Sequence, residues 1–170
     1  MSDNKDKGNS LTILWIEDQL AELKEGVEEL ERLIKAKPKW NEVHRVEALT
    51  VDAAEKTLGE LKDNPPDLII LDIMLSRTEE TRKARLPRVD MNAGFFLWHR
   101  IRVLEEWGKA MTKVPIVVVT GRGNPEFRPK MEREDKNLKW LGKPVAPSEI
   151  AEAILSLFGK KQEEQASSDA

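Results

Sequence analysis

Three short apolar runs constrain this chain more than any other feature: LTILWI at residues 11–16, DLIILDIML at 67–75 and VPIVVVT at 114–120. None approaches the roughly 20 apolar residues that a membrane-spanning helix needs. Each is nearly continuous, whereas a strand with one wet face alternates apolar and polar residues. The three runs are therefore expected to be strands of a sheet covered on both faces. Helix-period segments lie between them. Leu20, Leu23, Val27, Leu30 and Ile34 recur at three- and four-residue steps, and Lys37-Pro38 closes that helix.

The remaining elements follow the same alternation. Residues 43–49 alternate apolar and polar side chains, as a less buried strand does. Thr50 or Asp52 caps a helix to about Leu61, which Asn64-Pro65-Pro66 breaks. A helix is expected over residues 92–107 with Leu97, Trp98, Ile101 and Leu104 inward, then a weak, short one within 121–139. A brief last strand is expected at 139–143, and a final helix capped by Ser148 with Ile150, Ile154, Leu157 and Phe158 inward. Residues 76–90 are charged and aperiodic, a loop insertion carrying five basic and three acidic residues, net +2. Strands alternating with helices predict an α/β fold: a doubly wound, five-stranded parallel sheet with helices on both faces. One domain is expected over 11–159, between a flexible N-terminus (1–10) and a flexible tail (160–170).

Ligands on such sheets bind beyond the carboxyl ends of the strands. The three strongest strands end in Glu17-Asp18, Asp72 and Thr120, and the weak last strand ends in Lys143. Carboxylates gathered there repel one another unless a cation intervenes. Oxygen ligands without His or Cys suit a hard ion, Mg²⁺ before Ca²⁺. A lysine adds a point charge and a threonine a hydroxyl donor. This set is suited to receiving a phosphoryl group on a carboxylate. An acidic pair after a strand is more often a helix cap, but a lone Asp inside LIILDIML is costly to bury unpaired.

In this order and at these strand ends, WIED, LIILDIML, GFFLWHRIR, VPIVVVTG and WLGKP resemble the receiver domains of two-component response regulators, over about residues 11–159. The resemblance implies a flavodoxin-like receiver fold with Asp72 as phosphoacceptor. It implies that Asp18 and Asp72 ligate Mg²⁺ directly, that Glu17 does so through water, and that Met74 offers its backbone carbonyl. Thr120 and Lys143 would contact the phosphoryl group, Thr120 and Trp140 would form the switch pair, and the Lys143-Pro144 bond would be cis. The implied role is a phosphorelay switch rather than a dedicated enzyme. Its partners would be a histidine kinase or phosphotransfer protein and a downstream protein target.

Three departures stand beside the match. Gly94 follows Asp72 only after the insertion, Ser76 occupies a place where Pro is usual, and the fourth helix of the fold is poorly specified. The long insertion and the weak fourth helix support an alternative, a pseudo-receiver that binds proteins without phosphorylation. A phosphohydrolase with an Asp nucleophile is disfavoured because Met74 stands where its second Asp belongs. His44 and His99 are not spaced as metal ligands. Trp15, Trp98 and Trp107 read as packing residues, and Phe96 falls on the outer face of its helix. The chain has no cysteine, which excludes disulfides and thiolate chemistry. A net charge of -3 with 28 basic and 31 acidic residues gives no reason to expect nucleic acid or an anionic membrane as partner. The N-terminus lacks an apolar signal segment, so a cytoplasmic protein is expected.

Overall fold

The computed structural model describes residues 10–83, 89–121 and 126–168. Five parallel strands form its sheet: β1 (Ser10–Ile16), β2 (Glu42–Ala48), β3 (Leu68–Leu71), β6 (Ile116–Thr120) and β7 (Leu138–Gly142), in the order β2-β1-β3-β6-β7. A two-stranded antiparallel ribbon, β4 (Leu75–Ser76) with β5 (Val89–Asp90), lies outside it. The predicted parallel, doubly wound architecture is the one observed.

The period of two along the strands sorts the core into two layers. Leu11, Ile13, Trp15, Ile70, Val117 and Val119 face α1 (Lys24–Lys35) and α6 (Pro147–Ser168). Leu14, Ile16, Ile69, Leu71 and Val118 face α2 (Val51–Glu60), α4 (Ala93–Arg102) and α5 (Phe127–Glu134). Burial on both faces explains why these strands read as unbroken apolar runs. The edge strand β2 buries only Ala48 fully, which is why its sequence alternates.

Local chemistry sets the boundaries. The Thr50 side chain accepts a hydrogen bond from the Ala53 amide, making Thr50 the α2 cap. The first amphipathic segment begins as a short 3-10 turn, Leu20–Leu23, before α1. The second buried strand is shorter than its apolar run, because after Leu71 the chain turns outward to start the β4–β5 ribbon. Leu104 is exposed rather than inward, since α4 ends at Arg102. Pro147, not Ser148, opens α6. The Glu149 carboxylate accepts from the Ala146 amide there, and Pro suits a first helical position because it lacks an amide donor. The backbone of α6 continues to Ser168, into the stretch expected as a tail.

The insertion is more than a loop. Ser76 pairs with Val89 and Leu75 with Asp90, so the chain leaves and returns at one place. Within it, Thr78 accepts from the Thr81 amide and starts a one-turn helix, α3 (Glu79–Lys83). Arg85 and Arg88 lie outside the described residues, as does the N-terminal segment 1–9. The ribbon also brings Gly94 back to the end of β3. A Cβ on Gly94 would lie 2.1 Å from the Asp72 carbonyl oxygen and 2.6 Å from the Ile73 Cα, so no larger residue fits. The long spacing between Asp72 and Gly94 is thus bridged by an excursion that closes on itself. The weak fourth helix of the pattern exists as α5, eight residues that bury only Met131.

Candidate functional site

The site forms where β1, β3 and β7 end. Strand order reverses between β1 and β3, which opens a crevice at their carboxyl ends. The Asp72 amide donates to the Ile16 carbonyl at 2.9 Å and the Glu17 amide to the Ala48 carbonyl at 3.2 Å. These bonds carry the ladder one residue past each strand and hold both carboxyl-bearing residues at the rim. Glu17, Asp72 and Thr120 are all buried.

Lys143 joins the two acids. Its ammonium donates to Glu17 Oε2 at 2.5 Å and to Asp72 Oδ2 at 2.9 Å. The second oxygens are also held: Glu17 Oε1 accepts from the Gln19 amide at 3.0 Å, and Asp72 Oδ1 from the Met74 amide at 3.0 Å. The Lys143 amide donates to the Thr120 carbonyl at 2.8 Å, tying the last strand to the hydroxyl-bearing one. The Lys143-Pro144 bond is cis. Trp140 is buried on β7, with the Arg128 guanidinium 6.0 Å from its ring centre.

Charge is unbalanced here. Two buried carboxylates face one ammonium. Burial first, then the neighbouring Asp72 charge, pushes the Glu17 carboxyl up to about 7 against the pull of Lys143. Burial alone would lower the Lys143 pKa, but the hydrogen bond and charge of Glu17, with the charge of Asp72, hold it above its ordinary value.

Asp18 takes a different partner. Its Oδ2 accepts from both the Ser76 hydroxyl, at 2.9 Å, and the Ser76 amide, at 3.2 Å. Among the described residues, no three acidic or imidazole side chains stand close enough to hold a metal ion as a group. Glu17 and Asp72 therefore converge through Lys143, while Asp18 is anchored to the base of the insertion. The donor chemistry nonetheless fits a hard divalent cation: only oxygens, with negative charge that Lys143 does not fully offset.

Trp15, Trp98 and Trp107 are buried, and Phe96 is exposed, bordering a cleft with Arg77 and Arg100. A cavity of about 240 Å³ between α1 and the start of α6 borders Glu17 and Lys143 on the opposite face of the sheet. The role of Ser76 is not readable from sequence, where it registers only as a residue in place of Pro. No described helix is long and apolar enough to cross a membrane.

No protein-family model and no curated protein matches the chain. Solved structures do. A CheY-like response-regulator receiver domain from Methanospirillum hungatei is 16% identical over 92% of this chain and 99% of its own, with a TM-score of 0.59. The signal receiver domain of an HD domain-containing protein from Pseudomonas fluorescens is 17% identical over 91% and 99%, also at 0.59. The receiver domain of a sensor histidine kinase from Pseudomonas aeruginosa, with a magnesium ion coordinated in its active site cleft, is 17% identical over 88% and 98%, at 0.57. The chain has the response-regulator receiver fold.

Proposed function

We propose that this receiver-fold chain is a phosphoacceptor switch that takes a phosphoryl group on Asp72 and signals by protein–protein contact. The observation that carries the reading is the buried Asp72 carboxylate bridged to Glu17 by Lys143 at the carboxyl end of the sheet. A structural ion pair needs one acid per base. A second buried acid raises the cost of the folded state and is consistent with a group kept for its chemistry.

In this reading an Asp72 oxygen attacks the donor's phosphorus. The bond from phosphorus to the donor's leaving group breaks, and that group departs with the electron pair. Lys143, already in contact with Asp72, pairs with a phosphoryl oxygen. Thr120, linked to Lys143 through the backbone, supplies its hydroxyl. Asp18, Asp72 and the Met74 carbonyl would hold Mg²⁺, with Glu17 acting through water. When bound, the ion offsets the charge on the phosphoryl oxygens. Trp140 would respond to movement of Thr120. A histidine kinase or phosphotransfer protein would be the natural donor.

The test is intact mass after incubation with a small phosphodonor and Mg²⁺. Wild type should gain one phosphoryl group and Asp72→Asn none, because an amide is not a nucleophile. A wild type that stays unmodified while retaining its fold would favour the pseudo-receiver, which the long insertion also supports.

A further inference from the structure

Among the described residues, the insertion hydrogen-bonds to Asp18 through Ser76. Ser76, the first ribbon residue to pair with β5, is 4% exposed, and both of its donors end on a single oxygen of Asp18. Both bonds fall on Oδ2, and among the described residues Oδ1 accepts none. Ser76 itself is fixed by its pairing with Val89. The neighbouring Arg77 anchors the same segment to α2. Its carbonyl accepts from the Asp52 amide at 3.1 Å, and its guanidinium stands 3.8 Å from the Asp52 carboxylate. The insertion also supplies positive charge. The Arg82 pKa is raised first by its hydrogen bond to Glu79 and, to a smaller extent, by the charge of Asp18.

We infer that Ser76 is a positioning residue for a divalent-cation site, holding Asp18 by Oδ2 so that Oδ1 is available to the ion. The base of the insertion then stands directly behind the Asp18 ligand. This inference rests on the proposed role of Asp18. Carboxylate ligands are commonly held by such second hydrogen bonds, and losing one weakens metal affinity about 10- to 100-fold. A carboxylate free at both oxygens must be ordered at the moment of binding, whereas one already held at one oxygen is not. Reciprocity follows: if Ser76 helps the cation bind, the cation must tighten the Ser76–Asp18 contact by the same factor.

The probe is Mg²⁺ alone, followed by tryptophan fluorescence and by calorimetry on the full chain. Ser76→Ala should weaken Mg²⁺ binding by about tenfold, and Ser76→Thr, which keeps the hydroxyl, should restore most of it. Hydrogen exchange at the Ser76 amide should slow when Mg²⁺ is added to wild type, a response that a purely structural serine would not give. Unchanged or tighter binding in Ser76→Ala, or faster exchange at that amide with Mg²⁺, would overturn the inference and make Ser76 a bystander or a competitor for Asp18. Asp18→Ala separates the two levels. If wild type binds Mg²⁺ and Asp18→Ala does not, a null result for Ser76 sinks this inference alone. If wild type shows no saturable Mg²⁺ binding, or Asp18→Ala binds as well as wild type, the assignment of Asp18 falls and this inference with it.

Discussion

Among the described residues, two buried clusters of charge are built from similar parts to different ends. One is Glu17, Asp72 and Lys143 at the rim of the sheet. The other lies between α4 and the start of β7, where Arg102 donates to Asp135 Oδ2 at 2.7 Å. That second cluster is closed. Asp135 also accepts from the Trp98 indole at 3.1 Å and from the Asn137 amide at 2.9 Å. Arg102 spends its other nitrogens on the Met111 and Val114 carbonyls at 3.3 and 2.5 Å. One acid meets one base, and the pair staples helix to sheet. The rim cluster has two acids on one base, and its charge balances only where Glu17 takes up a proton, below about pH 7. Satisfied charge makes a structural joint; unsatisfied charge at a strand end leaves capacity for a ligand.

The largest effect should come from breaking the closed cluster. Asp135→Ala leaves the Arg102 guanidinium, with a side chain 9% exposed, buried without its partner, and should cost about 3–5 kcal/mol in urea unfolding. Asp72→Asn loses a hydrogen bond to Lys143 but relieves the repulsion on Glu17. Its stability should stay within about 1 kcal/mol of wild type. Equal losses in the two variants would erase the distinction between the clusters.

The next effect is pH-dependent and belongs to the rim alone. The Glu17 carboxyl is raised from 4.5 to about 7, so the folded state holds its proton more tightly than the unfolded chain does. The stability this contributes is fully present below about 4.5 and is lost as pH rises through about 7. In chelator-treated protein, the stability of wild type relative to Glu17→Gln should fall by on the order of 1–3 kcal/mol between pH 5 and pH 8. Parallel curves for the two proteins would show that Glu17 is not held in this way.

A smaller effect follows from adding the cation. At pH 8, Mg²⁺ at ten times its Kd should stabilise wild type by about 1.4 kcal/mol and leave Asp18→Ala unchanged. Trp15 and Trp140 near the rim should report the same titration by fluorescence. An identical Mg²⁺ response in Asp18→Ala would place the ion elsewhere.

Much of the rim was legible because each of its residues ends an apolar run, and a parallel sheet brings such ends together. Asp72 stood out as the acid inside LIILDIML, and Lys143 as the base before Pro144. The closed cluster had no such signal. Arg102 and Asp135 are 33 residues apart, each among other charges, and only packing selects them. In the sequence the ribbon has only the look of a charged, aperiodic loop insertion, because two-residue strands carry no periodicity and the contact of Ser76 with Asp18 spans 58 residues. Leu104 looks inward in the sequence because helix periodicity continues there after the helix itself has stopped at Arg102.

Phosphoryl transfer is proposed at the unbalanced cluster, on Asp72. The most direct measurement is to label wild type with a small phosphodonor and Mg²⁺, reduce any acyl phosphate to the alcohol with borohydride, and locate the altered residue by peptide sequencing. The expected result is a single modified position, Asp72, lost in Asp72→Asn and unaffected by conservative substitution of Asp135. A label on another carboxylate, persisting in Asp72→Asn, would contradict it.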